Sequence, residues 1–238
     1  MGQMPMGEKS YEQIGVAMTC RSFAEYELMF ALAPLSAQDG PILDVAAGAS
    51  AFVAEASARG VRAYAADPLY AMSPEDVINH AAKEIDTSTH KLAAIRDVYD
   101  WSYYRSLDNH RRMREWSLQV FAADFRHNRS SGRYTSAQLP DRPYADDAFS
   151  LVLCSHFLFL YQDQFDDEFH EQAVLELLRV CRKGGQVRIY PLRSLKWELY
   201  PRLDTLIAKV RETGASAELA ASKLPFIPGS SELLLIQK

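Results

Sequence analysis

The stretch that most constrains this chain runs from Pro41 to Pro68. Pro41-Ile42-Leu43-Asp44-Val45-Ala46-Ala47-Gly48 reads as a short apolar strand running into small residues. Ala51 to Arg59 follows as a helix ended by Gly60, and Val61 to Ala66 as a second strand ending at Asp67-Pro68. Strand, small-residue turn, helix and strand within about thirty residues make a βαβ unit with parallel strands. The turn then lies at the carboxyl ends of those strands, where open α/β sheets bind their ligands.

Before this unit, Tyr11 to Leu32 reads as helical, with Val16, Phe23, Tyr26, Leu28, Met29 and Phe30 on one broad face and Pro34 as the stop. Ser22 with Glu25 three residues later is a capping-box pattern that splits it into two helices, so 1–36 is expected to be an N-terminal helical segment. After the unit, 69–132 interrupts the alternation with a long helical stretch. Ser73 is its N-cap and Pro74 its first turn, followed by Ala81 to Tyr104 and Leu107 to Phe125. Tyr134 to Ala137 is a short strand, and Phe149 to Phe159, the most continuous apolar run, reads as the central strand covered on both faces. Gln164 to Val180 is a helix, Gln186 to Tyr190 a strand and Tyr200 to Thr213 a helix. Ala217 to Ala221 and Glu232 to Gln237 close the chain, with a spacing that permits an antiparallel pair.

At 238 residues, with 48% hydrophobic and 24% charged residues, the chain has material for one core, and 1–238 is expected to be a single domain. A net charge of -5 gives no global pull towards nucleic acid or anionic membrane. Cys20, Cys154 and Cys181 are odd in number and far apart, which indicates neither a disulfide framework nor a zinc site, and no metal is expected. Met1–Lys9 lacks the pattern of a signal peptide, and no apolar run approaches the length of a membrane span. A cytoplasmic location without membrane association fits best. Nothing in the sequence sets an oligomeric state.

Four segments in order resemble the class I S-adenosylmethionine-dependent methyltransferases: Ile42 to Gly48, Ala65-Ala66-Asp67-Pro68, Pro143 to Val152, and Glu176 to Gly185. The resemblance spans roughly 40–238 outside the insertion. It implies a Rossmann-like, doubly wound α/β fold with a mostly parallel seven-stranded sheet, an antiparallel last strand and a helical insertion. It also implies S-adenosylmethionine as cofactor. Asp44 would lie near the methionine part, and the turn Ala46, Ala47, Gly48 would approach the ligand through its backbone. Asp67, with Pro68 behind it, would accept from both ribose hydroxyls; the alternative is an N-cap for the next helix. Ser136-Ala137 stands where the family often has an Asp-Ala pair touching adenine. Arg21 would hold the methionine carboxylate, or else be a surface arginine.

The chain departs from the family pattern in three places. Ala46 and Ser50 stand where the motif usually has glycines, and Ser150 where it commonly has Asp. Ser155-His156-Phe157-Leu158 replaces the Asn/Asp-Pro-Pro-Tyr type motif of DNA amino-methylating relatives, so base-amine methylation on that plan is not supported. Ser155 and His156 close the central strand, where cofactor and acceptor would meet; His156 is either a general base or a histidine satisfied by the backbone. The missing GxGxxG disfavours a nicotinamide-dependent oxidoreductase.

The insertion interleaves Tyr99, Trp101, Tyr103, Tyr104, Trp116, Phe121 and Phe125 with Arg105, Arg111, Arg112, Arg114, Arg126 and Arg129. Acids mixed among them favour a helical lid over a small-molecule acceptor above a nucleic-acid surface. Two further readings stay open: a non-catalytic module that kept the fold, and an RNA methyltransferase recruited through the insertion.

Overall fold

The computed structural model describes residues 11–13, 15–141 and 143–238; Met1–Lys9, read above as carrying no signal peptide, lies outside them. In chain order the elements are α1 (Phe23–Met29), β1 (Ile42–Val45), α2 (Phe52–Ala58), β2 (Ala63–Ala66), α3 (Pro74–Ala94), α4 (Leu107–Asn128), β3 (Tyr134–Thr135), β4 (Phe149–Ser155), α5 (Asp167–Val180), β5 (Cys181–Tyr190), α6 (Leu203–Glu212), β6 (Ser216–Ala221) and β7 (Glu232–Gln237). One sheet holds all seven strands in the order β3-β2-β1-β4-β5-β7-β6. The pairs among β3, β2, β1, β4 and β5 are parallel, whereas β7 runs antiparallel to both β5 and β6. The expected reversal of the last strand is therefore present.

Strand alternation divides the core into two layers. Leu43 and Val45 of β1 join Val152 and Cys154 of β4 in the layer under α5 and α6, with Leu177, Leu206 and Ile207. Ile42 of β1 joins Leu151 and Leu153 in the opposite layer, which α1, α2, α3 and α4 cover with Tyr26, Phe52, Ile85 and Phe121. The run Phe149 to Ser155 is apolar because it is clothed on both faces.

Two expectations change. Among the described residues of the segment from Tyr11 to Leu32, only Phe23–Met29 is helical; the capping box of Ser22 and Glu25 forms, but it starts that helix rather than dividing two. Residues 15–22 are not helical, and their backbone instead bonds to the turn after β1: Ala49 N–H donates to Thr19 O at 2.9 Å and Ala51 N–H to Arg21 O at 2.8 Å. Between β2 and β3, the helices α3 and α4 pack on each other and α4 on α2, so the insertion is a packed part of one face. α3 begins at Pro74 with Ser73 accepting from Asp76 N–H as its cap, as expected, but it ends at Ala94 instead of running on to Tyr104.

Candidate functional site

The chain turns out of β1 at Ala46, whose φ of 54° is left-handed, and again at Gly48 with φ 57°. Such angles are open to glycine and costly for alanine. A Cβ on Gly48 would sit 2.8 Å from Thr19 O, so the hydrogen there is what lets the strap of residues 17–21 cross the turn. The amides of Ala47, Gly48, Ala49, Ser50 and Ala51 donate to Ala66 O, Asp67 Oδ2, Thr19 O, Ala47 O and Arg21 O.

Asp67, at the end of β2, is buried and held by two backbone donors: Gly48 N–H to Oδ2 at 3.0 Å and Leu69 N–H to Oδ1 at 2.9 Å. It is thus the N-cap of a short 3-10 turn, Pro68–Ala71. Each carboxylate oxygen has a second lone pair, so the cap and a ligand are compatible roles. Tyr70 Oη ties this turn to the first by donating to Gly48 O at 2.7 Å.

At the end of β4, Ser155 Oγ and His156 Nδ1 share a hydrogen bond of 2.8 Å. His156 is another non-glycine residue in the left-handed region, with φ 50°. Burial, with the charges of Arg21 and Arg114, holds its imidazole well below 6.5, in the neutral form.

A cavity of about 390 Å³ opens at these strand ends. Ala46, Gly48, Asp67, Pro68 and His156 line it together, with Leu69, Leu139 and Phe157 as apolar wall. A smaller cavity of about 110 Å³ lies under α3 and α4. Ala17, Met18, Thr19 and His156 line both, so the strap and one imidazole stand between them.

Other sequence-predicted residues fall elsewhere. Asp44 is fully buried in the α1 layer, where Tyr26 Oη donates to its Oδ2 at 2.9 Å. Burial pushes its carboxyl well above the usual range. Ala47 is buried and Ser155 lies behind His156. Ser136 and Ala137 line a shallow hollow with Asp141 and Glu176 rather than the large cavity, which their neighbour Gln138 reaches. Arg21 is not a surface arginine: it is buried and lines the smaller cavity.

Arg21 belongs to a cluster that the sequence reading missed. Glu25, on α1, is fully buried and takes both guanidinium ends of Arg114 on α4, with Arg114 Nη1 at 2.9 Å from Oε2. Tyr104 Oη donates to Glu25 Oε1, and Ser22 N–H and Oγ–H to Oε2. Burial alone would raise the Glu25 carboxyl, but the charge and hydrogen bonds of Arg114 dominate and hold it well below the carboxylate range. The partners are 89 residues apart in sequence, so spacing carries no signal for them.

Much of the rest of the basic and aromatic interleaving resolves into packing and ion pairs, while Trp116 stays exposed. Tyr104, Phe121 and Phe125 are core residues, Arg111 pairs with Asp86 and Glu115, and Arg126 with Glu75. Among the described residues no helix is long and apolar enough to cross a membrane.

No protein-family model matches the chain. An uncharacterized protein of Methanocaldococcus jannaschii is 29% identical over 219 residues, covering 92% of this chain and 94% of that one. Among solved structures, a TehB-like SAM-dependent methyltransferase from Corynebacterium glutamicum matches 90% of this chain and 86% of its own at 16% identity and a TM-score of 0.48. A Burkholderia thailandensis 1,6-didemethyltoxoflavin-N1-methyltransferase, solved with S-adenosylhomocysteine, matches 82% of this chain and 68% of its own at 12% identity and a TM-score of 0.43. The sheet order, with β7 alone reversed, decides the architecture. This is the class I methyltransferase fold. In a methyltransferase fold the strand ends that carry Ala46, Asp67 and His156 are the ligand edge.

Proposed function

We propose that the protein is an S-adenosylmethionine-dependent methyltransferase acting on a small molecule. The observation that carries this reading is the large cavity at the ends of β1, β2 and β4, which joins the buried carboxylate of Asp67 to the turn at Gly48 and to His156. The cofactor's demands fit what is there. Asp67 is fixed by two amides at the cavity, where a carboxylate can accept from ribose hydroxyls, and Pro68, Leu69 and Leu139 offer an apolar wall. S-adenosylmethionine, when bound, supplies an electrophilic methyl group on a sulfonium.

The chain's own part is to orient and to exclude water. The strap of residues 17–19 walls the large cavity on one side, and His156 reaches both cavities. In the tautomer that donates Nδ1–H to Ser155 Oγ, the other imidazole nitrogen keeps a lone pair that can take a proton from an acceptor group.

Calorimetric titration with S-adenosylmethionine and S-adenosylhomocysteine tests the reading. Saturable binding that Asp67→Asn weakens by about tenfold or more supports it. Absence of binding up to about 1 mM would overturn it. One observation favours a second reading, a binding module without turnover: every amide from Ala47 to Ala51 is already engaged by the protein. That reading expects cofactor binding with no methyl transfer to any acceptor offered.

A further inference from the structure

The smaller cavity is lined by two arginines, Arg21 and Arg114, that are both buried. Among the described residues one fully buried carboxylate, Glu25, serves them, and it is used up. Glu25 Oε2 accepts from Ser22 N–H at 2.8 Å, Ser22 Oγ–H at 2.9 Å and Arg114 Nη1 at 2.9 Å, while Oε1 takes Arg114 Nη2 and Tyr104 Oη. Arg21 is left with a long contact of 3.5 Å to Glu25 and one of 3.2 Å to Tyr104 Oη, both from Nη1. Its Nε is buried with no partner. The cluster therefore carries one positive charge more than it neutralises.

A second buried donor stands beside it. Arg114 Nε–H donates to His110 Nε2 at 3.3 Å. Burial and the two arginines keep His110 neutral, so its proton sits on Nδ1. That Nδ1 is buried without a partner, and the ring is fixed by stacking on Phe226 at 5.3 Å. Unpartnered buried donors are costly, and two in one wall are most simply explained by a ligand that accepts from them.

Among the described residues, the ion pairs of Arg21 and Arg114 are those with Glu25. Cys20 is a neutral thiol, pushed up to about 12 by burial, and burial likewise pushes Tyr99 and Tyr161 up to about 12. Glu84 also lines the cavity but is only half-buried, with access to solvent that the arginines lack. The remaining wall is aromatic and aliphatic, including Tyr99, Phe226, Leu160 and Ile227.

We propose that this cavity is a subsite for an aromatic monocarboxylate, its anionic end held by Arg21 and His110. One surplus charge matches a monoanion better than a dianionic phosphate, and the ring-lined wall matches an apolar body. The proposal rests on the methyltransferase reading in naming the occupant as the methyl acceptor: a carboxylate anchored here leaves the rest of the molecule next to His156, which lines both cavities.

Binding in the absence of cofactor separates the two readings. Calorimetry with benzoate, benzamide and inorganic phosphate is run on the wild-type chain, on Arg21→Gln and on His110→Phe, each checked for folding by circular dichroism and thermal melting. S-adenosylhomocysteine is titrated into each in parallel. The expected result is saturable benzoate binding, preferred over benzamide and phosphate, that falls by about tenfold or more in Arg21→Gln. Affinity for S-adenosylhomocysteine stays within about twofold in the same variant. Equal affinity for benzoate and benzamide, a preference for phosphate, or no binding of any of the three overturns the subsite. So does Arg21→Gln weakening S-adenosylhomocysteine while sparing benzoate, which would return the arginine to the cofactor. Benzoate binding without S-adenosylhomocysteine binding keeps the subsite and removes the methyltransferase reading.

Discussion

Ala46 and His156 stand one residue beyond β1 and β4, adjacent parallel strands, and both adopt left-handed backbone angles, φ 54° and 50°. Both line the large cavity. Strained non-glycine residues gather where a fold sacrifices local comfort to aim a ligand edge, and here two strands do so side by side. Ala46→Gly should therefore stabilise the protein. The left-handed alanine costs about 1–2 kcal/mol, against about 0.5–1 kcal/mol of extra unfolded-state entropy for glycine. A gain of up to about 1 kcal/mol in urea unfolding is expected; a loss would mean that the Ala46 methyl packs productively.

Gly48→Ala should act in the opposite sense. Its φ is 57°, and the added Cβ would meet Thr19 O at 2.8 Å and Thr19 N at 3.1 Å, both backbone atoms that cannot rotate away. The strap must lift, breaking the Ala49 to Thr19 hydrogen bond. A destabilisation of about 1–3 kcal/mol is expected, together with faster proteolysis of the strap than in the wild-type protein. Unchanged stability and cleavage would show that the strap is not anchored on the turn.

Glu25→Gln tests the buried cluster. It leaves Arg114 and Arg21 without a counter-charge at two residues that are nearly inaccessible, and removing one member of a buried pair costs about 3–5 kcal/mol. Because Arg114 holds the folded carboxyl below its unfolded value, Glu25 contributes stability above an unfolded pKa of about 4.3 and loses it as pH falls further. Asp44 works in reverse: its raised carboxyl favours folding at acid pH and penalises it as pH rises. Asp44→Asn should gain stability at pH 7 relative to pH 3 when both are followed by urea unfolding.

The parts of this molecule legible in sequence were those with local periodicity. The apolar runs of β1 and β4, the Ser73 cap and the reversed closing pair each announce themselves within a few residues. The strap from Ala17 to Arg21 was not legible because its apolar residues mimic a helical face, while its backbone bonds go to a turn some thirty residues away. Of the two roles read for Asp67, the cap is present, since a carboxylate after a strand and before a turn can accept from the amide two residues on; the ribose contact stays a proposal. Arg21 and Arg114 were read separately, as a cofactor contact and as part of a basic patch. Only tertiary packing of α1 against α4 brings them to one glutamate.

His156→Asn addresses the neutral imidazole. Asparagine tolerates the left-handed angle, so the substitution removes the ring while keeping the backbone of the β4 end. His156 and His110 are both buried and held below 6.5, so the unfolded chain takes up protons that the folded one refuses. Their contribution to stability is complete above about pH 6.5 and is lost below it, at up to about 1.4 kcal/mol per pH unit for each group. In His156→Asn the acid slope between about pH 6.5 and 5 should fall by roughly half. With an acceptor in hand, the same variant should keep cofactor affinity within about threefold while transfer slows by about 10²-fold or more, if the acceptor must lose a proton. Transfer by the wild-type protein should not decline through protonation of this residue between about pH 7 and 6, because its imidazole stays neutral there. An acid limb at about pH 6.5 that disappears in His156→Asn would instead mean that bound ligands open the cavity to water and restore the ordinary pKa.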